Sequence, residues 1–238
     1  MAPPPVAPAR SSKRSIERIG HRGAPREYPE NTLPAFQRAI ELGADAIELD
    51  VHVTVDGVPI VHHDPELRRG VTCPAPSRAL AEMTWRDVAR VELAPGITIP
   101  SLQQVLAAVG DRAMVYVELK GSDSERATLD VIRASRTRCA VHSFDHAAVT
   151  HAARLAPEVR RGILFDAYPD DVDAAMNAAS ALDVWPQWEL IDTALVERVH
   201  ALGGRVIAWT VNATTAAEQL VRLGVDGLCG DDVRLLPR

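Results

Sequence analysis

The sequence predicts an α/β fold, a TIM-like (β/α)8 barrel with a small insertion after the second strand region. Three observations point there. The chain has 238 residues and is 47% hydrophobic, which suits one sizeable domain of barrel size. From Ser101 onward, strand-like and helical stretches alternate with short links, the pattern of parallel strands joined by crossover helices. Residues able to do chemistry gather at the C-terminal ends of those strands, the face on which barrel active sites form.

The elements follow in order. Residues 1–15, MAPPPVAPARSSKRS, are Pro-rich and basic with no apolar segment behind the charges. They read as a disordered tail rather than a secretory signal. Residues 16–238 read as a single domain. A first strand at 16–19 ends in Gly20-His21-Arg22-Gly23, where glycine permits a tight turn. Asn31 or Thr32 caps a helix running to Leu42, with Phe36, Ala39 and Ile40 on its apolar face and Gly43 as its stop. Residues 46–53 form the second strand, 55–58 a hairpin-like turn, and 59–63 a further extended piece.

Asp64-Pro65 opens a Pro-rich, irregular stretch reaching Pro100, with a short helix at 84–91 capped by Thr84. It is too long for an ordinary barrel loop. It reads as an insertion, at about 65–100, over one barrel end, where substrate-selecting loops sit. Helices are then expected at 101–109, 124–136, 145–155, 170–181, 193–202 and 214–223. Strands are expected at 113–119, 139–144, 161–165, 182–185, 205–211 and 225–229. Together these make about eight strand–helix units.

Glu48 and Asp50 stand two apart in an apolar strand, so their side chains leave the same face. A lone pair of this kind is usually a solvated strand edge. Here it lies in a buried run, and two buried carboxylates aimed together need a positive partner. Glu118 supplies a third carboxylate at the end of another strand. Three oxygen donors without a thiol or histidine cluster favour Mg²⁺ or Ca²⁺ over Zn²⁺. Lys120 shares the face of Glu118, as an ion-pair partner or a phosphate contact. His21 and His63 frame this stretch, and histidines beside a cation site suit phosphate-ester chemistry. His142, Ser143, Trp185 and Trp209 also fall at strand ends.

A net charge of −6 gives no basic field, so nucleic acid is not an expected partner. No apolar run reaches the roughly 20 residues of a membrane-spanning helix. Cys73, Cys139 and Cys229 are odd in number and share no metal-ligand spacing. They read as reduced thiols of a cytoplasmic protein. Protein partners and oligomeric state are not legible.

Taken together, the residues resemble the glycerophosphodiester phosphodiesterase family. The resemblance rests on His21-Arg22-Gly23, Glu30-Asn31-Thr32, Gly43-Ala44-Asp45, Ile47-Glu48-Leu49-Asp50-Val51, Asp56-Gly57 and His63-Asp64. Further matches are Ile99-Pro100-Ser101-Leu102, Glu118-Leu119-Lys120, Ser143-Phe144, Trp209-Thr210-Val211-Asn212 and Gly224-Val225-Asp226-Gly227. It implies a TIM-like barrel that hydrolyses small-molecule glycerophosphodiesters to sn-glycerol 3-phosphate and an alcohol with one divalent cation, Mg²⁺ or Ca²⁺. By position it implies Glu48, Asp50 and Glu118 as metal ligands and His21 and His63 as the acid/base pair. It also implies Arg22 and Lys120 as phosphate contacts, Asn31 as support for the metal site, and Trp209 as a wall for the glycerol.

His62 beside His63 points to the opposite strand face, so one of the two should enter the site. Three segments depart from the family pattern: Arg68-Arg69-Gly70, Gln103-Gln104 and Gly230-Asp231-Asp232-Val233. The last puts loop contacts at the eighth strand in question. An alternative activity is phospholipase D-like hydrolysis of lysophospholipids or sphingomyelin, which needs an apolar groove such as Leu80, Met83, Trp85 and Val88 could line. A non-catalytic phosphoglycerol-binding barrel would not need both histidines. A sugar-converting barrel would not explain the His-Arg-Gly and His-Asp pairing.

Overall fold

The structure, a computed structural model, describes residues 15–67, 78–121 and 123–237. The N-terminal tail, the Arg68-Arg69-Gly70 turn and Cys73 lie outside the described residues. Eight parallel strands form the barrel: β1 (Glu17–Gly20), β2 (Ala46–Val53), β3 (Met114–Leu119), β4 (Cys139–Ser143), β5 (Arg160–Phe165), β6 (Asp183–Pro186), β7 (Arg205–Ala208) and β8 (Gly227–Gly230). They pair in chain order, and β1 bonds to both β2 and β8, which closes the ring. The helices around it are α1 (Leu33–Glu41), α2 (Leu102–Val109), α3 (Glu125–Ala134), α4 (His146–Leu155), α5 (Val172–Ala179), α6 (Thr193–Ala201) and α7 (Thr214–Leu223).

Two units differ from a plain repeat. β8 is followed by a 3₁₀ turn, Val233–Leu235, where a plain (β/α)8 repeat would place its eighth helix. β2 continues through a hairpin into Pro59–Val61, which runs antiparallel to it, and then into the insertion before α2. β7 is shorter than expected, ending at Ala208. Beyond it Trp209 bridges to Gln187 on one side, while the Val211 N–H donates to the Cys229 carbonyl on the other.

Local chemistry explains the helix starts. The side chains of Thr32, Ser101, Asp145, Asp171 and Asp192 each accept a hydrogen bond from a first-turn N–H. Gln104 completes a capping box, accepting from the Ser101 N–H at 2.9 Å while its own N–H donates to Ser101 Oγ at 3.2 Å. The departure at Gln103-Gln104 therefore keeps a helix-starting role.

Alternation on each strand separates two cores. Ile47, Leu49 and Val51 face the helices. The barrel interior holds Ile19, Ala46, Tyr116, Ala140, Leu164, Trp185, Ile207 and Cys229, one from each strand. It is a packed layer and not a pore. The insertion carries a third, small core of Ile60, Leu67, Leu80, Met83, Val88, Val91 and Ile99, with Trp85 packed against it.

Below the interior layer, at the N-terminal strand ends, charged groups plug the barrel. Tyr116 Oη donates to Glu17 at 2.9 Å, and Arg205 also reaches Glu17. Arg160 binds the fully buried Asp183 carboxylate at 2.5 and 2.6 Å. Asp183→Ala leaves the Arg160 guanidinium without its buried carboxylate and should lower the unfolding free energy by about 3 kcal/mol, measured by urea denaturation. Its kcat should hold, because the pair lies at the face away from the strands' C-terminal ends.

Candidate active site

Barrel closure builds the first part of the site. Gly20 of β1 stands in register with Gly230 of β8, and the His21 N–H donates to the Gly230 carbonyl at 3.0 Å. The next residues on both strands therefore emerge side by side, and His21 Nδ1 lies 2.7 Å from Asp231 Oδ1. Asn212 fixes Asp231 in turn, donating from Nδ2 at 2.6 Å and accepting the Asp231 N–H at 3.0 Å. Gly23 lets this loop turn: its φ is +91°, and a Cβ there would stand 2.7 Å from the Ala35 carbonyl carbon. Burial lowers the His21 pKa, but the Asp231 hydrogen bond and the Glu48 charge outweigh it and hold the ring above the ordinary histidine value. Sequence reasoning did not single out Asp231 as a functional residue. It stands 210 positions from His21, and only ring closure joins them.

β2 and β3 supply the acidic part. Asp50 is directly across from Glu118 in register. Oxygens of Glu48, Asp50 and Glu118 all lie within 4.8 Å of one another, and all three residues are buried. Asn31 clamps Asp50 twice, donating from Nδ2 to Oδ2 at 2.8 Å and accepting the Asp50 N–H at 3.3 Å. The Arg22 N–H donates to Glu48 at 3.1 Å. Arg22 and Asn31 sit in the left-handed region, at φ 52° and 60°, strain that persists only where surrounding contacts over-determine it.

Two cations meet this acidic face. Lys120 Nζ lies 3.0 Å from Glu118 Oε1 and 3.3 Å from Asp50 Oδ1. Arg22 Nε lies 3.2 Å from Asp50 Oδ2, and its Nη1 donates to Glu30 at 2.9 Å. Burial raises the Asp50 pKa, but Arg22 and Lys120 outweigh that and keep it below the usual carboxylate value. Glu118 goes the other way, pushed up to about 7 by burial and the neighbouring Asp50 charge.

His21, Arg22, Glu48, His63, Glu118 and Lys120 open onto one cavity of 240 Å³. His142, Phe144, Leu164, Trp185, Trp209 and Cys229 form its other wall. His63 enters this lining, its Nδ1 2.9 Å from Asp64. The backbone N–H of His62 donates to the Asp50 carbonyl, and its ring is not part of the lining. Trp209 donates from Nε1 to the Trp185 carbonyl at 2.9 Å and meets Phe144 edge to face at 5.4 Å. Ser143 points away, its hydroxyl donating to the Leu119 carbonyl.

Residues 21–235 match the model of the glycerophosphoryl diester phosphodiesterase family. The chain belongs to that family. A glycerophosphodiester phosphodiesterase of Caldanaerobacter subterraneus is 29% identical, over 92% of this chain and 95% of its own. A Silicibacter pomeroyi crystal structure assigned to the same enzyme class is 28% identical, with a TM-score of 0.85 over 92% of this chain and 91% of that one. An Oleispira antarctica phosphodiesterase, solved in complex with its product sn-glycerol-3-phosphate, shares the fold at a TM-score of 0.85, 23% identity, and 92% and 94% coverage. The protein is accordingly a phosphodiester hydrolase on a TIM barrel.

For a member of this family, the acidic cluster fits a hard divalent cation. Its donors are all carboxylate oxygens, three of them buried within 4.8 Å of one another. A cation held by Glu118 would displace that carboxyl's proton. With that carboxyl held at about 7, the apparent metal affinity should rise about tenfold from pH 6 to pH 8 and then level off. Calorimetric metal titration across that range reads it directly, and a flat profile contradicts it. Among the described residues no helix is long and apolar enough to cross a membrane.

Proposed function

We propose that the protein hydrolyses glycerophosphodiesters to sn-glycerol 3-phosphate and an alcohol, with His21 and His63 transferring protons and Glu48, Asp50 and Glu118 holding Mg²⁺ or Ca²⁺. One observation carries this reading. Both histidines, two of the three carboxylates, Arg22 and Lys120 line a single cavity, and the third carboxylate, Asp50, bonds to both cations.

A phosphodiester is anionic, and attack builds more charge on its non-bridging oxygens. Arg22 and Lys120 offset that charge from fixed positions. The cation, when bound, adds Lewis-acid stabilisation to the same oxygens. His21, held toward its protonated form by Asp231 and Glu48, donates a proton to the leaving alkoxide oxygen. His63 takes the proton from the attacking hydroxyl, that of water or of the substrate's own glycerol. Asn31 keeps Asp50 aimed at the cation, and Trp209 packs against the glycerol.

The lipid alternative has less support. Leu80, Met83 and Val88 are spent on the insertion's own core, with Trp85 packed against it, so among the described residues they line no acyl groove. Cys139 and Cys229 are free thiols, in keeping with a reducing, cytoplasmic setting. Turnover of glycerophosphocholine, glycerophosphoethanolamine and lysophosphatidylcholine, with products resolved, tests the assignment. The glycerophosphodiesters should be preferred, and a preference for the lysophospholipid would transfer the protein to the phospholipase D-like class.

A further inference from the structure

His142 is the polar residue that the chemistry above leaves unused. Its side chain is 2% exposed, it lines the catalytic cavity, and neither ring nitrogen has a hydrogen-bond partner. Buried polar groups are almost always bonded, so a cavity-wall ring with unmet nitrogens marks the place of a polar guest. The ring is firmly held. Trp185 meets it edge to face at 4.4 Å, and the Trp185 indole lies over Gly162, where a Cβ would come within 2.8 Å of it. His142 stands beside Glu118 in strand register.

We infer that His142 binds a hydroxyl group of the glycerol half of the substrate, an inference that rests on the hydrolase reading above. The wall around it decides the class of guest. Phe144, Leu164 and Trp185 offer apolar surface, suited to glycerol carbons. The groups that would hold phosphate, Arg22 and Lys120, are engaged with the carboxylates of β2 and β3. Through either nitrogen, the neutral imidazole can donate or accept according to its tautomer, and a hydroxyl can do the reverse. His142 is not one of the three residues whose oxygens cluster for a cation, although its Nε2 is 3.7 Å from Glu48 Oε1. The cavity of 240 Å³ has room for about eight waters at ~30 Å³ each, enough for a glycerol phosphate.

The test uses metal-loaded protein, wild type, His142→Leu and His142→Gln, titrated calorimetrically with sn-glycerol 3-phosphate and with inorganic phosphate. His142→Leu should weaken glycerol 3-phosphate by about tenfold or more, leave inorganic phosphate within about twofold, and raise KM for glycerophosphocholine in parallel. His142→Gln, which keeps a donor and an acceptor, should recover most of the loss. Equal weakening of both ligands, or loss of metal affinity, would assign His142 to the charged centre and overturn the inference. Unchanged glycerol 3-phosphate binding in His142→Leu would overturn it too while leaving the hydrolase reading intact. A wild-type protein that neither binds glycerol 3-phosphate nor turns over a glycerophosphodiester removes the reading on which the inference rests.

Discussion

His21→Ala and His63→Ala are each expected to lower kcat by about 10²–10⁴-fold while the cation still binds. Both rings line the cavity, and neither is needed to build the carboxylate cluster. Steady-state turnover beside calorimetric metal binding checks both halves of the statement. If activity and metal affinity fell together, the histidines would belong to the metal site and not to proton transfer. Asp231→Asn sharpens the assignment. It removes the charge and weakens the hydrogen bond that raise the His21 pKa, so His21 loses its proton at lower pH. With His21 as the acid, the alkaline limb of the kcat–pH profile shifts toward lower pH. A shift of the acid limb instead would make His21 the base.

Asp50→Asn is expected to weaken the cation by about a hundredfold or more and to abolish turnover with it. Asp50 supplies an oxygen to the buried cluster, and it is the carboxylate on which Asn31, Arg22 and Lys120 converge. Asn31→Ala leaves all three ligands in place but frees the Asp50 side chain. Loss of such an outer partner costs about 10–100-fold in metal affinity. Excess metal should therefore rescue Asn31→Ala and not Asp50→Asn. Rescue of both at the same metal concentration would show that Asp50 is not a ligand.

The parts of the molecule legible in the sequence were those written in local pattern. The alternation in Ala46–Val53 puts Glu48 and Asp50 on one face, and the structure keeps that arrangement with Ile47, Leu49 and Val51 turned to the helices. Caps at Thr32, Ser101 and Asp145 announce the helices that follow them. What escaped depends on ring closure and on pairing across strands. Asp231 meets His21 because β1 and β8 are neighbours, a contact that no short window of sequence contains. The length of β7 was overstated because an apolar run cannot show where Trp209 turns toward Gln187. Lys120 had two readings from its spacing alone. The geometry adds that it bridges Glu118 and Asp50, so it must share these carboxylates with any cation that enters.

The most direct measurement is release of sn-glycerol 3-phosphate from glycerophosphocholine by protein stripped with EDTA and then resupplied with Mg²⁺ or Ca²⁺. The account predicts no turnover after stripping, recovery with at least one of the two cations, and no recovery in Asp50→Asn. Undiminished release from the fully stripped protein would contradict it.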